Sequence, residues 1–589
     1  MFSERFSALQ QNPAPLSLFE RMNFPQKAVD KLAERGKAAV AQLWPNLSLS
    51  DYLDFSRTGR RVPFEEKYFS RRHILNDLVM AEYAENSGEH IDVIADMVWA
   101  ICEESGWQLP AHNNYVRDAS QNALPNVQRP VLDLFACETA AQIALIYHLL
   151  GEKLENTAPG ICTRTQQELD FRIITPYLNQ HFWWMGRGDE KMLNWTPWCT
   201  QNVLIAAAVI PMADETRRAI CAKAAYSLDC FTKDYGDDGC CDEGAKYYGH
   251  AALCMFVAIE LLDKMTNGFF TPLYENNKIK NMADFIRQMF VAGDYYINFA
   301  DCPPILPPPG ALEFLFGKRT SNVSLAAFAA DGLRRRGLDT PSEDLSLYTR
   351  LITLFTISEV SDFKNKGEMP KNTYFASTGI FVARDDKTCL AVKAGNNNDN
   401  HNHNDVGSFT LYFNGKPFII DVGVGSYTRD TFSANRYNIW TMQSAYHNLP
   451  TFGGIMQKAG ALSSANDVET SIGANEAKIV MDIAGAYPRG TVDKYTREVF
   501  LKKGDGVLIV DEYEGENAAV LSLMMCESPD VCGNCVRTFI GQIDILGADN
   551  IEVETIEITD TKLKKVWPNT LFRVLISFEQ RLELKMMPS

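Results

Sequence analysis

The chain has 589 residues, too many for one ordinary hydrophobic core, so two or more domains are expected. Hydrophobic residues make up 46% and charged residues 22%, the balance of a globular chain, while a formal net charge of −17 argues against a general nucleic-acid binder. The same acidity argues against a polyanionic partner unless basic groups gather in one cleft, for which "RTGRR" (57–61) and "RR" (71–72) are the candidates.

The first residues lack a basic start followed by an apolar core, so no secretory leader is visible. The expectation is a cytoplasmic protein, or a periplasmic or secreted one if a leader was removed. Apolar runs such as "VLIAAAVIPM" (203–212) fall short of the roughly 18–20 residues that cross a bilayer, so no membrane partner is expected. From about residue 27 to 360, apolar residues recur at helical spacing, as in 71–85, 90–106, 131–151, 201–210, 251–265 and 344–358. Consecutive helices without intervening strands imply paired antiparallel helices, stacked as a solenoid or closed as a toroid. "DCPPILPPPG" (301–310) is the clearest of the loops between them.

After 361–375 the pattern changes to alternation, with strands joined by turn dipeptides such as "NG" (414–415) and "GDG" (504–506). The C-terminal region reads as an antiparallel β-sandwich. The fold class is therefore multidomain α+β, with a helical domain over 1–365 and a β domain over 366–589. Fourteen cysteines are scattered without a small-scaffold spacing and read as reduced thiols. "CGNC" (532–535) has no second pair to complete a zinc site and reads as a turn between strands.

Histidine is scarce, nine in the chain, yet His401 and His403 alternate with asparagines in "NNNDNHNHNDVGSFTLYFNGKPFIIDVG" (396–423). In a strand, residues two apart share a face, so both imidazoles should point the same way, with Asp405 close behind. An exposed polar strand start is the bland alternative. The following hairpin returns Asp421, and "SAYHNLP" supplies His447. Two imidazoles and a carboxylate from this neighbourhood would suit Zn²⁺ or Mn²⁺.

"HNHNDVGSFTLYFNGKPFIIDVGVGSYT" followed by "RYNIWTMQSAYHN" resembles the core signature of the heparinase II/III-like polysaccharide lyases. That resemblance implies a helical (α/α) incomplete toroid followed by an antiparallel β-sandwich. It also implies a substrate-facing catalytic His401 and a bracing, structural divalent metal, Zn or Mn, on His403, Asp421 and His447. The implied reaction is β-elimination at a uronic acid. It requires a donor against the carboxylate, a base for the C5 proton and an acid for the O4 leaving group.

"NWTPWC" (194–199) resembles the family's asparagine motif and makes Asn194 the carboxylate donor, against the alternative that it caps a helix. It lacks the second asparagine or following histidine of other members, having Leu193 and Trp195 instead. "DEGAKYYGHAAL" (242–253) resembles the stretch leading to the catalytic tyrosine and points to Tyr247, whose pKa near 10 would need nearby positive charge, such as Lys246 or Arg187, to fall. In "ANRYNIW", Tyr437 is preferred over Tyr427 as the tyrosine near the leaving group, and Arg436 is a carboxylate or sulfate binder. His112, Asn113 and Arg187 lie in aromatic-rich connections and are read as substrate contacts, although core packing explains the tryptophans beside them equally well.

The resulting expectation is a lyase for uronate-containing glycosaminoglycans such as hyaluronan, chondroitin sulfate or heparan sulfate, with an acidic polysaccharide or oligosaccharide as partner. Three alternatives stand beside it: a lyase for another uronate polymer such as alginate, a metal-dependent glycan hydrolase, and a non-catalytic glycan-binding protein.

Overall fold

The computed structural model describes residues 1–117, 119–370, 372–428 and 430–589. The chain forms two compact units. Met1–Tyr235, Gly249–Ile279 and Pro308–Gly367 make the first, and Gly236–Tyr248, Lys280–Pro307 and Glu368–Ser589 make the second.

The first unit is helical. Gln26–Val40 packs tightly on Val62–Glu85, and Gly36 permits it, because a Cβ there would lie 2.4 Å from that of Ala81. Leu134–Thr157 starts at Asp133, whose carboxylate accepts from the backbone N–H groups of Phe135 and Ala136 at 3.1 and 2.7 Å. That cap satisfies donors the helix cannot satisfy itself. The same helix is apolar because it is a core element, with most of its side chains buried. It packs with Trp195–Val209, where Glu138 accepts from Trp198 Nε1 and Asn202 Nδ2, both at 2.8 Å. Arg71 and Arg72, candidates for a basic cleft, are instead buried and share the single carboxylate of Glu104.

The second unit is a β-sandwich. One sheet runs Asn372–Phe375, Ile380–Arg384, Thr388–Lys393, Phe409–Phe413, Lys416–Ile419, all antiparallel. The Asn414–Gly415 turn between its last two strands has φ of 51° and 75°, the geometry of a two-residue hairpin. The larger sheet contains the long pair Gly541–Glu557 and Thr570–Pro588, with Lys494–Lys502 and Gly506–Glu514 beyond. Phe381, Leu390, Phe409 and Leu411 of the first sheet share a core with Ile479, Val499, Ile509 and Ile576 of the second. The strands of the larger sheet alternate, burying one face, as Lys494–Lys502 shows. The three inner strands of the smaller sheet are buried on both faces.

What covers that second face corrects the single boundary expected at 365/366. The excursions Gly236–Tyr248 and Lys280–Pro307 belong to the β unit. Arg384 donates to the Phe290 carbonyl at 2.8 Å, and Asp238 accepts from the Ser377 amide and hydroxyl, each at 2.8 Å. Gly239, at φ 77°, lies so close to the backbone of Asn281 that a Cβ would meet it at 2.2 Å. A helical period over 277–289 gave no hint that the segment following it turns back onto strands. All fourteen cysteines are free thiols, and Cys532 pairs with Cys535 across the turn of a small hairpin, as the sequence suggests.

Candidate active site

The segment carrying His401 and His403 is a loop, between Asn396–Asn397 and Phe409–Phe413, and not the strand expected from their alternation. His401 has φ 56°, a left-handed conformation that costs a non-glycine residue about 1–2 kcal/mol. The two imidazoles consequently part company. The His401 side chain is 20% exposed and that of His403 is fully buried.

Both are held by a residue that the sequence reading missed, Asp301. His401 Nδ1 lies 2.8 Å from its Oδ2 and His403 Nε2 lies 3.1 Å from its Oδ1. Arg436 donates to Oδ1 at 2.7 Å and the Tyr427 hydroxyl donates to Oδ2 at 3.2 Å. Burial pushes the Asp301 carboxyl up, but hydrogen bonds from both histidines and the charges of His403 and Arg436 outweigh it and hold it far below the usual carboxylate range. Asp301 sits in the Pro-rich 301–310 loop, where no spacing singles it out.

Around His401 the second unit assembles a compact group. Glu243 Oε2 lies 3.4 Å from His401 Nε2. Burial lowers the imidazole, yet Asp301 and Glu243 together raise it to about 9, so it is an imidazolium at neutral pH. The Tyr247 ring stacks on it at 4.5 Å and 24°, and the Tyr247 hydroxyl is 2.7 Å from that of Tyr427. Burial pushes the Tyr247 phenol well above its ordinary value; the bond to Tyr427 opposes this, while Asp301 and Glu243 add to it. The lowering expected from nearby positive charge is therefore not found, because desolvation, Asp301 and Glu243 raise the phenol.

Tyr427, rather than the preferred Tyr437, is the tyrosine at this centre. Tyr437 accepts a hydrogen bond from Asn402 Nδ2 at 3.1 Å and supports the loop instead. Arg436 is also reassigned. Its guanidinium is spent on Asp301 and on the carbonyls of Asn402 and Thr431, at 2.8 and 3.0 Å, so it positions the carboxylate rather than a substrate.

His403, Asp421 and His447 form a second group, with one ligand atom from each lying within 4.8 Å of the others. Asn448 fixes the neighbourhood by bonding the Phe409 and Ile420 carbonyls and the Met524 amide. Asp421 Oδ1 accepts from the Gly423 amide at 2.7 Å, leaving Oδ2 free of hydrogen bonds. His403 Nδ1 and both nitrogens of His447 are likewise buried without a hydrogen-bonding partner. Such atoms cost about 1–3 kcal/mol each when left unsatisfied. Asp301 fixes the outer nitrogen of His403, the usual arrangement for a metal-binding imidazole. Burial raises Asp421 to about 6 and lowers His447. The donor set fits a divalent cation of the Zn²⁺ or Mn²⁺ type.

The remaining candidates lie in the helical unit. Asn194 occupies the N-cap position of Trp195–Val209 and is buried, but its side chain makes no capping bond, so the capping alternative does not account for it. His112 bonds Asp133 through Nδ1 at 2.8 Å and packs edge-on to Trp195 at 4.7 Å. Trp195 in turn meets Trp183 at 5.0 Å, leaving a partly exposed aromatic cluster. Asn113 does not reach a surface. Its amide accepts from Gln108 at 3.1 Å and donates to the Asn122 carbonyl at 2.8 Å, so its role is to close a loop. Arg187 is exposed.

With this geometry in place, comparisons with known proteins are informative. Residues 369–557 match the family described as Heparinase II/III-like, C-terminal. The β-rich region is thus similar to heparinase II/III-like C-terminal domains. No curated protein sequence matches the chain. Among solved structures, a heparinase III aligns with TM-score 0.62 and 15% identity over 100% of this chain and 88% of its own. The heparan sulfate lyase HepC from Pedobacter heparinus aligns with TM-score 0.59 and 15% identity, covering 100% and 87%. The chondroitin AC lyase of Streptomyces coelicolor, solved with chondroitin sulphate, gives TM-score 0.50 and 10% identity over 100% and 82%. At these identities the likeness is one of fold: a helical region followed by a domain similar to the heparinase II/III-like C-terminal one. The groups around Tyr247 and His403 both belong to the unit that contains that domain.

Proposed function

We propose that the protein is a polysaccharide lyase that cleaves uronate-containing glycosaminoglycans by β-elimination. The observation that carries this reading is the Tyr247–His401 stack, partly open to solvent and fixed by Asp301 and Tyr427. Its fold relatives act on acidic glycans: HepC on heparan sulfate, and the chondroitin AC lyase was solved with chondroitin sulphate.

In this reading the charged His401 faces the uronate carboxylate and favours the negative charge that builds there as the C5 proton leaves. Tyr247 first gives its hydroxyl proton to solvent and then, as the phenolate, takes the C5 proton. The Tyr427 hydroxyl, turning from Asp301, can donate to the phenolate as it forms, and the adjacent imidazolium favours the same charge. Where H5 and O4 lie on one face, as in glucuronate, Tyr247 then gives the proton to O4 as the C4–O bond breaks. In iduronate they lie on opposite faces; His401 passes its Nε2 proton to Glu243, 3.4 Å away, and as the neutral imidazole removes H5 while Tyr247 protonates O4.

The cation would be held by His403, Asp421 and His447. It would supply compensating charge for a dry polar cluster and join three chain segments, with no part in the elimination. The test is ultraviolet absorbance during incubation with hyaluronan, chondroitin sulfates, dermatan sulfate, heparan sulfate, heparin and alginate. A C4=C5 double bond conjugated to the carboxylate absorbs where intact chains do not. A rise identifies the lyase and its preferred polymer. Chain shortening without absorbance would replace the reading by hydrolysis, and no change in any chain would replace it by binding alone.

A further inference from the structure

Two lysines far apart in sequence converge on the ring of Tyr427. Lys562 Nζ lies 4.7 Å from its centroid and Lys246 Nζ 5.8 Å, while Lys246 is also 5.3 Å from the Tyr247 ring. Neither ammonium group forms a salt bridge among the described residues. The arrangement is built rather than incidental. Asp560 accepts from the backbone N–H groups of Lys562 and Leu563, each at 2.9 Å, and its other oxygen accepts from the Ser426 amide at 2.9 Å. The turn bearing Lys562 is thereby fastened to the residue preceding Tyr427. Lys562 Nζ itself donates to the Gly425 carbonyl at 3.2 Å. Lys246 is presented by the Gly236–Tyr248 excursion, one residue before Tyr247.

Two cations against one aromatic ring gain from it but repel each other. The groups facing Lys562 are Lys246, Asp301, Asp560 and the Cys302 thiol; burial and the charge on Lys246 together lower Lys562 to about 8. Asp560 is engaged by backbone donors and Asp301 by His401, His403, Arg436 and Tyr427, so neither carboxylate is available as a close counter-ion. An oxyanion lying between the two ammonium groups would relieve the repulsion and receive charge-assisted hydrogen bonds from both.

We propose that Lys246 and Lys562 form a subsite for an oxyanion of the glycan, a sulfate group or a uronate carboxylate, on the sugar beside the one that Tyr247 acts on. This deepens the lyase reading and, as a statement about the substrate, rests on it.

The experiment compares two end-labelled hexasaccharides of equal length with alternating glucuronate and glucosamine, one N-acetylated and one N-sulfated. Binding is read by fluorescence polarisation and elimination by absorbance, for the wild type and for Lys562→Met, Lys246→Met and Lys562→Arg. Methionine keeps the apolar stem against the ring, and thermal melting verifies that each variant is folded. Each methionine variant is expected to raise Kd roughly tenfold, and the arginine variant to stay near wild type. A loss confined to the N-sulfated probe assigns the anion as sulfate, and an equal loss on both assigns it as carboxylate. Unchanged Kd in both methionine variants, or no wild-type binding to either probe, overturns the subsite. Lysine-dependent binding without absorbance retains the subsite while removing the lyase reading. Absorbance that is insensitive to both lysines does the reverse.

Discussion

His403 and His401 lean on opposite oxygens of one carboxylate, and their surroundings differ in what they still require. The His403, Asp421 and His447 group is 0–1% exposed, and four of its nitrogen and oxygen atoms have no hydrogen-bonding partner. The His401 group is partly exposed, yet its ring nitrogens face Asp301 and Glu243 and its tyrosines bond each other. A closed polar cluster with unsatisfied atoms gains stability when a charged group fills it. An open cluster with its internal bonds made can present its remaining surface to a ligand. Structural demand and functional display are thus separated by about the width of Asp301.

The strongest way to break this comparison is to remove the shared residue. Asp301→Ala leaves Arg436, His401 and His403 around an empty position, and deleting one partner of a buried pair typically costs about 3–5 kcal/mol. Urea denaturation should show a loss of that order together with abolished elimination. Asp301→Asn keeps the volume and should lose less stability but as much activity. Wild-type stability in the alanine variant would show that the two groups are held independently.

The closed group is tested alone by His447→Ala and by chelation. Either should remove bound metal, measured by elemental analysis. The accompanying loss of stability should approach about 4 kcal/mol when the metal stands a thousandfold above its Kd. Activity per folded molecule should fall far less than in Asp301→Ala, because His447 touches none of the groups around Tyr247. Equal losses in the two variants would mean that the cation shapes the open group as well.

The open group is sharpened by a pair of matched changes. Tyr427→Phe removes one hydrogen bond to Tyr247 and one to Asp301, and should lower turnover roughly ten- to hundredfold with little change in melting temperature. Tyr437→Phe removes only the acceptor of Asn402 and should change turnover by no more than a few fold. The reverse order would restore Tyr437 to the centre.

These two tyrosines also mark where the sequence stops being legible. The change from helical spacing to alternation near residue 365 is a property of periodicity, and it survives in the two units. The ligand set His403, Asp421 and His447 follows from a local signature, and the structure brings those residues together. What spacing cannot convey is long-range return. Asp301 and Glu243 arrive on excursions that leave the helical unit, and Lys562 arrives from the connection between the two longest strands. The alternation of His401 with His403 was misleading for a local reason: one residue in the left-handed region rotates the chain, so residues two apart no longer share a face.

The contrast between closed and open groups recurs, at smaller amplitude, in the helical unit. Asn113 has its amide engaged on both sides by Gln108 and Asn122 and is 1% exposed, whereas Arg187 is exposed. Asn113→Ala should therefore cost about 1–3 kcal/mol, read by denaturation, since it leaves buried partners unsatisfied. At saturating substrate its turnover per folded molecule should stay near that of the wild type. Arg187→Ala should leave stability within about 0.5 kcal/mol. If Arg187 touches the glycan, its loss appears in KM and not in melting. A rise in KM for Asn113→Ala without loss of stability would reverse the assignment, making the closed residue the one that meets substrate.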